Sequence, residues 1–183
     1  MPSWNPSRLD SIEIGRHGVE DVPVLDIHEL TAGKLVALVA RDAPRDAFDV
    51  YQLFSEHEFH SEHLRAAFVA YGGMTRQDWR QISVDDAAFR PQQLKNELLP
   101  YLRRSAEDDF EMDDCRQMVA DCRDILGRLI PFQPDEKKFL DKLLDRGIVD
   151  PELLTDDAEF ARRIGEHPLL EWNAENVRKH KVE

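Results

Sequence analysis

Positive charge, cysteine and long apolar runs are what this chain has least of. Lysine and arginine number 24 against 37 aspartates and glutamates, a net charge of −13. An acidic chain repels nucleic-acid phosphate unless its cations are gathered locally, so indiscriminate DNA or RNA binding is excluded as a default. The local basic groups are short: Arg103 with Arg104, Arg162 with Arg163, and Arg178 through Lys181. They read as solvated helix ends. No stretch approaches the roughly 20 apolar residues that cross a bilayer. The opening MPSWNPSRLD lacks the basic-then-apolar order of a secretory leader. The expectation is a cytoplasmic protein with no membrane partner. The two cysteines, Cys115 and Cys122, fall on one predicted helix. At about 1.5 Å rise per residue they stand about 10 Å apart, beyond the reach of a disulfide, and are expected to be free thiols.

Several catalytic signatures are also missing. There is no GxSxG, no Walker loop, no dinucleotide fingerprint and no HExxH. Gly72 and Gly73 stand outside any strand-turn-helix phosphate loop and read as a helix stop. His57, His60 and His63 repeat every third residue, but that spacing fans around a helix instead of converging on an ion. The segment reads as a polar connector, and no metal ligand is assigned to the chain.

What is present suits one domain with a sizeable core, or a small domain with a helical appendage. The chain has 183 residues, 42% of them hydrophobic and 33% charged. Ile12 and Ile14 flank Glu13, an alternation that predicts a short strand, and Val22 to Ile27 predicts a second. Helices are expected over 28–41, 44–56, from after His63 to about Tyr71, near 76–82, from Pro91 to about 104, over 112–129, 135–146, 156–166 and 172–179. The expected fold class is α+β, mainly α-helical: short N-terminal strands followed by a helical, bundle-like body.

The stretch from Val24 to Phe54 stands apart. Its first helix is apolar nearly all round but contains Lys34, and the next opens at Pro44 with Arg45, Asp46 and Asp49. A lysine among apolar residues is costly to bury unless a carboxylate pairs it. Spacing alone leaves three readings: an ion pair tying two helices, a lysine reaching to solvent, or a lysine that holds a nucleotide phosphate with Arg41, Arg45 and the acidic pair around it.

The string ELTAGKLVALVARDAPRDAFDVYQL resembles the nucleotidyltransferase family of AbiEii/AbiGii toxins, through its ExxxxK helix and its RDxxD helix start. GIVDPELLTDDAEF and HPLLEWNAENVRKHK are similar to that family's C-terminal helical region. The resemblance implies a partial nucleotidyltransferase domain over 1–57 and a C-terminal helical domain over 58–183. It also implies a toxin of a toxin–antitoxin or phage-defence pair that transfers a nucleotide from an NTP to an acceptor such as tRNA. By motif, Lys34, Arg41 and Arg45 would bind nucleotide, and Asp46 or Asp49 would be the catalytic acidic residue, with Glu29 in the same motifs. The complete family active site is expected to use Mg2+. Its glycine-rich GGT or GS motif and its metal-binding DxD do not occur here. The chain is therefore expected to correspond to the C-terminal two thirds of such an enzyme. The missing motifs would come from an upstream segment or another polypeptide, and an exposed strand edge would serve a partner or a homodimer. The alternative is a non-catalytic module that binds an antitoxin, a nucleotide or its own copy.

Overall fold

The computed structural model describes residues 4, 6–41, 43–87, 89–98 and 111–181. Two strands, β1 (Ser7–Leu9) and β2 (Val22–Val24), form an antiparallel hairpin. Eight α-helices follow among the described residues: α1 (Ile27–Arg41), α2 (Pro44–Glu56), α3 (Ser61–Gly73), α4 (Pro91–Leu98), α5 (Met112–Leu129), α6 (Pro134–Arg146), α7 (Ala158–Gly165) and α8 (Pro168–Lys181). The expected α+β, mainly helical class is the one observed.

The helix ends follow from their capping residues. Asp26 accepts the His28 N–H at 2.8 Å and opens α1. Pro44 occupies the first turn of α2, where a missing N–H costs nothing. Gln133 and Glu136 form a capping box on α6, which Gly147 ends at φ 63°. Asp157 accepts the N–H groups of Glu159 and Phe160 and starts α7.

Apolar faces then fix the packing. α1 lies between α2 and α3, α2 packs on α4 and α5, α3 on α6, and α6 on α8. One buried cluster runs through these contacts, with Leu35, Leu38, Phe68, Trp79, Leu126, Phe139 and Leu170 at its centre. Cys115 and Cys122 are both free and buried on α5. Burial pushes the Cys122 thiol up to about 12, which makes it unreactive at neutral pH. No described helix is long and apolar enough to cross a membrane.

Several boundaries depart from the sequence expectation, among them those of α3, which starts at Ser61 and runs through Gly73. The first strand is Ser7–Leu9, whereas Ile12 and Ile14 are 88% and 79% exposed. Their alternation signals a buried face, but no layer covers them. The expected helix near 76–82 is a single 3-10 turn, Trp79–Gln81. The last helix starts at Pro168 instead of 172, because proline suits its first turn and His167 caps it. The predicted extension of α4 toward residue 104, and Arg103 and Arg104 with it, lies outside the described residues.

The His167 cap makes stability pH-dependent. His167 is buried, and its Nδ1 accepts the Leu169 N–H at 3.3 Å. Burial is the first cause that lowers its pKa below 6.5. His63 is shifted the same way by burial and by the neighbouring His60 and His28. Above 6.5 both folded and unfolded imidazoles are neutral and contribute nothing. On acidification the unfolded chain takes the protons first, so stability falls below about pH 6.5. The urea midpoint should drop between about pH 7.5 and about pH 5.5, and the drop should shrink in His167→Asn, which keeps an acceptor but does not titrate. An unchanged drop in that variant would exclude His167 as a source.

Candidate functional site

Lys34 and Asp49 meet where α1 and α2 cross. The Lys34 Nζ donates to Asp49 Oδ2 at 2.6 Å, and the two side chains are 38% and 39% exposed. The ammonium is therefore neither sealed in the core nor free in solvent. It is held at the mouth of the helix junction by one charge-assisted bond, which an incoming anion can compete for. Arg41, in the last turn of α1, and Arg45, in the first turn of α2, are both exposed on either side of the connection.

Asp46 sits one helical turn before Asp49 but faces inward. It is 3% exposed, and its Oδ2 is buried with no hydrogen-bond partner among the described residues. A buried acceptor left unpaired costs about 1–3 kcal/mol, so such an oxygen asks for a reason. The i, i+3 spacing puts Asp46 and Asp49 on adjoining faces. Only the packing of α2 makes one of them the partner of Lys34 and the other a sealed carboxylate.

Glu29 has a different role from its motif neighbour Lys34. It is 1% exposed and accepts the Trp4 N–H at 2.8 Å and the Tyr71 hydroxyl at 3.2 Å. Burial and the Glu29 charge both raise the Tyr71 pKa, keeping the phenol a donor. Trp4 stacks edge-on against Tyr71 and Phe160. Glu29 thus anchors the start of the described chain to the helical body. Nothing around Trp4 in sequence signalled this, since its partners lie at 29, 71 and 160.

The histidine segment forms a small aromatic seam. His60 and His63 have ring centroids 4.4 Å apart, His28 lies 5.6 Å from His63, and the His28 Nε2 accepts the His60 N–H at 3.0 Å. His57 points instead toward Phe59. Among the described residues, no group of three or more His, Cys, Asp or Glu side chains is arranged to hold a metal ion.

Magnesium, which the resemblance implies, can be tested against the donors at the helix junction. Asp49 is engaged by a cation and Asp46 is closed off, so these carboxylates do not fit a divalent ion as they stand. Nor does a cleft of about 390 Å³ between the start of α3 and the 133–136 and 152–157 segments suit a nucleotide. Its walls include Glu62, Asp135, Glu152, Asp156 and Asp157, which would repel phosphate. Lys34, Arg41 and Arg45 remain the cationic surface that the motifs define.

Fold and site together describe a helical α+β protein with a lysine–carboxylate junction on its first two helices. The chain belongs to the nucleotidyl transferase AbiEii toxin family of type IV toxin–antitoxin systems, whose family model matches residues 6–146. That span runs from the hairpin through α6 and contains every candidate site residue. Neither the search of curated proteins nor the search of solved structures gives a match. The C-terminal strings that resemble the family, in 147–160 and 167–181, follow the matched span.

Proposed function

We propose that this chain supplies the nucleotide-binding wall of a nucleotidyltransferase toxin that moves a nucleotide from an NTP to an acceptor such as tRNA, and that a cognate antitoxin opposes it. The observation that carries this reading is the half-exposed Lys34–Asp49 pair, one turn from a buried carboxylate oxygen on Asp46 that has no partner among the described residues. Nucleotidyl transfer forms a bond from an acceptor hydroxyl to the α-phosphorus and breaks the bond to the departing pyrophosphate. The hydroxyl proton passes to a base. Lys34 would offset phosphate charge, Asp49 would hold and orient Lys34, and Arg41 and Arg45 would extend the cationic rim. By motif the acidic role falls to Asp46 or Asp49, of which only Asp49 reaches the surface. The carboxylates that bind magnesium would come from outside the described residues, through another polypeptide, another segment or a second copy.

A second reading follows from the state of the two aspartates. With Asp49 charge-paired and Asp46 sealed, the same surface would serve as a non-catalytic module that binds a nucleotide or antitoxin. One experiment separates the two. The purified chain is incubated with magnesium, each α-phosphate-labelled NTP and total RNA, and NTP binding is titrated in parallel. Label in RNA, reduced about 10²-fold or more in Lys34→Ala, would select the enzyme reading with the carboxylates supplied by another segment or a second copy of this chain. Binding that depends on Lys34 without label transfer would favour the module. Neither binding nor transfer would sink both.

A further inference from the structure

The hairpin that precedes α1 has two unlike edges. Ser7 lies opposite Val24, Arg8 opposite Pro23 and Leu9 opposite Val22. Pro23 has no N–H, so Arg8 and Pro23 are a non-hydrogen-bonded pair, and Ser7 and Leu9 carry the ladder to β2. Alternation then turns the backbone N–H and C=O of Arg8 and Asp10 toward the outer edge of β1. Ser11, of the same parity as Ser7 and Leu9, donates inward to the Val19 carbonyl at 2.8 Å. The outer edge of β2 presents Pro23 and lacks a donor there, a device that blocks strand addition. The outer edge of β1 has no such block. All three of its residues are exposed, and no described strand lies beyond it. Leu9, Ile12, Ile14 and Val19 are exposed around it.

We infer that β1 pairs edge to edge with β1 of a second copy, joining the two hairpins into one continuous antiparallel sheet. The registers open to this edge are few. A twofold contact must bring outward-facing residues against outward-facing residues, so its axis passes through a residue. An axis at Arg8 sets Arg8 against Arg8, and an axis at Asp10 sets Asp10 against Asp10. Like charges directly opposite oppose pairing. An axis at Leu9 sets Arg8 opposite Asp10 of the partner subunit, and the reverse, with each pair exchanging both backbone hydrogen bonds. On the other face Leu9 meets its own copy across the axis. Charge and apolar complementarity therefore select one register and one occupant, another copy of this chain. Arg8 already bonds Asp21 within its own hairpin, with its Nη2 donating to the Asp21 carbonyl at 2.7 Å. The guanidinium is thereby held on the face where the second carboxylate arrives.

The inference does not depend on the nucleotide reading and is tested without NTP. Light scattering on the eluting full chain should give twice the 21.2 kDa of one chain at high concentration, falling toward one chain on dilution. Leu9→Cys should form a covalent dimer under mild oxidation, because directly opposite residues of a non-hydrogen-bonded pair have Cα atoms about 4.5 Å apart. Ile14→Cys should not. Arg8→Asp should shift the dimer to monomer, and Asp10→Asn, which keeps an acceptor for the Asp21 N–H but removes the charge facing Arg8 of the partner subunit, should weaken it. A monomer at every concentration, which would leave the edge to a strand of another polypeptide, would overturn the inference. So would a dimer that survives Arg8→Asp and fails to cross-link at Leu9→Cys.

Discussion

Gly72→Ala is expected to cost more stability than any other single methyl added to this protein. A Cβ on Gly72 would stand 1.9 Å from Nε1 and 2.1 Å from Cε2 of Trp79. Trp79 is fully buried and stacks edge-on against Phe68, with ring centroids 5.4 Å apart. The indole cannot yield without leaving the core, and α3 cannot yield without parting from α6. A Cβ on Gly73, next in the chain, would likewise stand 2.7 Å from Leu143 of α6. Expelling the indole costs about 3–5 kcal/mol, comparable to deleting a buried aromatic ring. For a chain of this length that is roughly 10 °C in melting temperature. Calorimetry on the wild type and on Gly72→Ala measures it. Adding Trp79→Leu to Gly72→Ala should recover part of the loss, since the two residues contend for one space. Equal melting temperatures for wild type and Gly72→Ala would refute the close approach.

Arg65→Ala should be nearly as damaging, for an electrostatic reason. Arg65 Nε and Nη2 donate to the two carboxylate oxygens of Glu136 at 2.8 and 2.7 Å, and Nη1 donates to the Arg128 carbonyl. Glu136 also accepts the Gln133 N–H at 2.7 Å as the cap of α6. The fork binds α3 to the start of α6 and the end of α5. Both side chains are largely buried. Removing the guanidinium strands a buried carboxylate, which costs about 3–5 kcal/mol. Replacing both partners by apolar residues, Arg65→Met with Glu136→Leu, should recover most of that, apart from the lost cap, because neither charge is then left without its counter-ion. Urea unfolding of the three proteins decides it. A loss below about 0.5 kcal/mol in Arg65→Ala would mean that the pair is solvated and weak.

Much of the helical frame was legible in the residues. Pro44 and Pro134 at first turns, the Gly147 stop, and the 3.6-residue periodicity from 44 to 56 and from 112 to 146 act within a few residues, so sequence carries them. Gly72 and Gly73 read as a stop but lie inside α3, where Trp79 and Leu143 leave no room for a side chain. Periodicity failed at Ile12 and Ile14, because alternation reports a face that could be buried and not whether anything lies over it. His167 was missed as a cap because its acceptor role depends on burial by distant aromatic residues.

The candidate site divides along the same line. That a lysine and two aspartates stand on consecutive helices, a short connection apart, is written in the order of residues 34, 46 and 49. Local geometry brings them near one another in any fold with those helices. Which aspartate takes the lysine, and which is sealed with an unpaired oxygen, depends on how α2 turns its Ala47 and Val50 face toward the core. The burial of Glu29 depends on Trp4 and Tyr71, and the clamp at Arg65 on a carboxylate 71 residues away. Sequence by itself determined the family, the helices and the charged groups at the α1–α2 junction, because caps, periods and motifs are local. Tertiary structure alone decided which charges are paired, which are buried and which strand edge stays open, because burial and pairing belong to residues that only folding brings together.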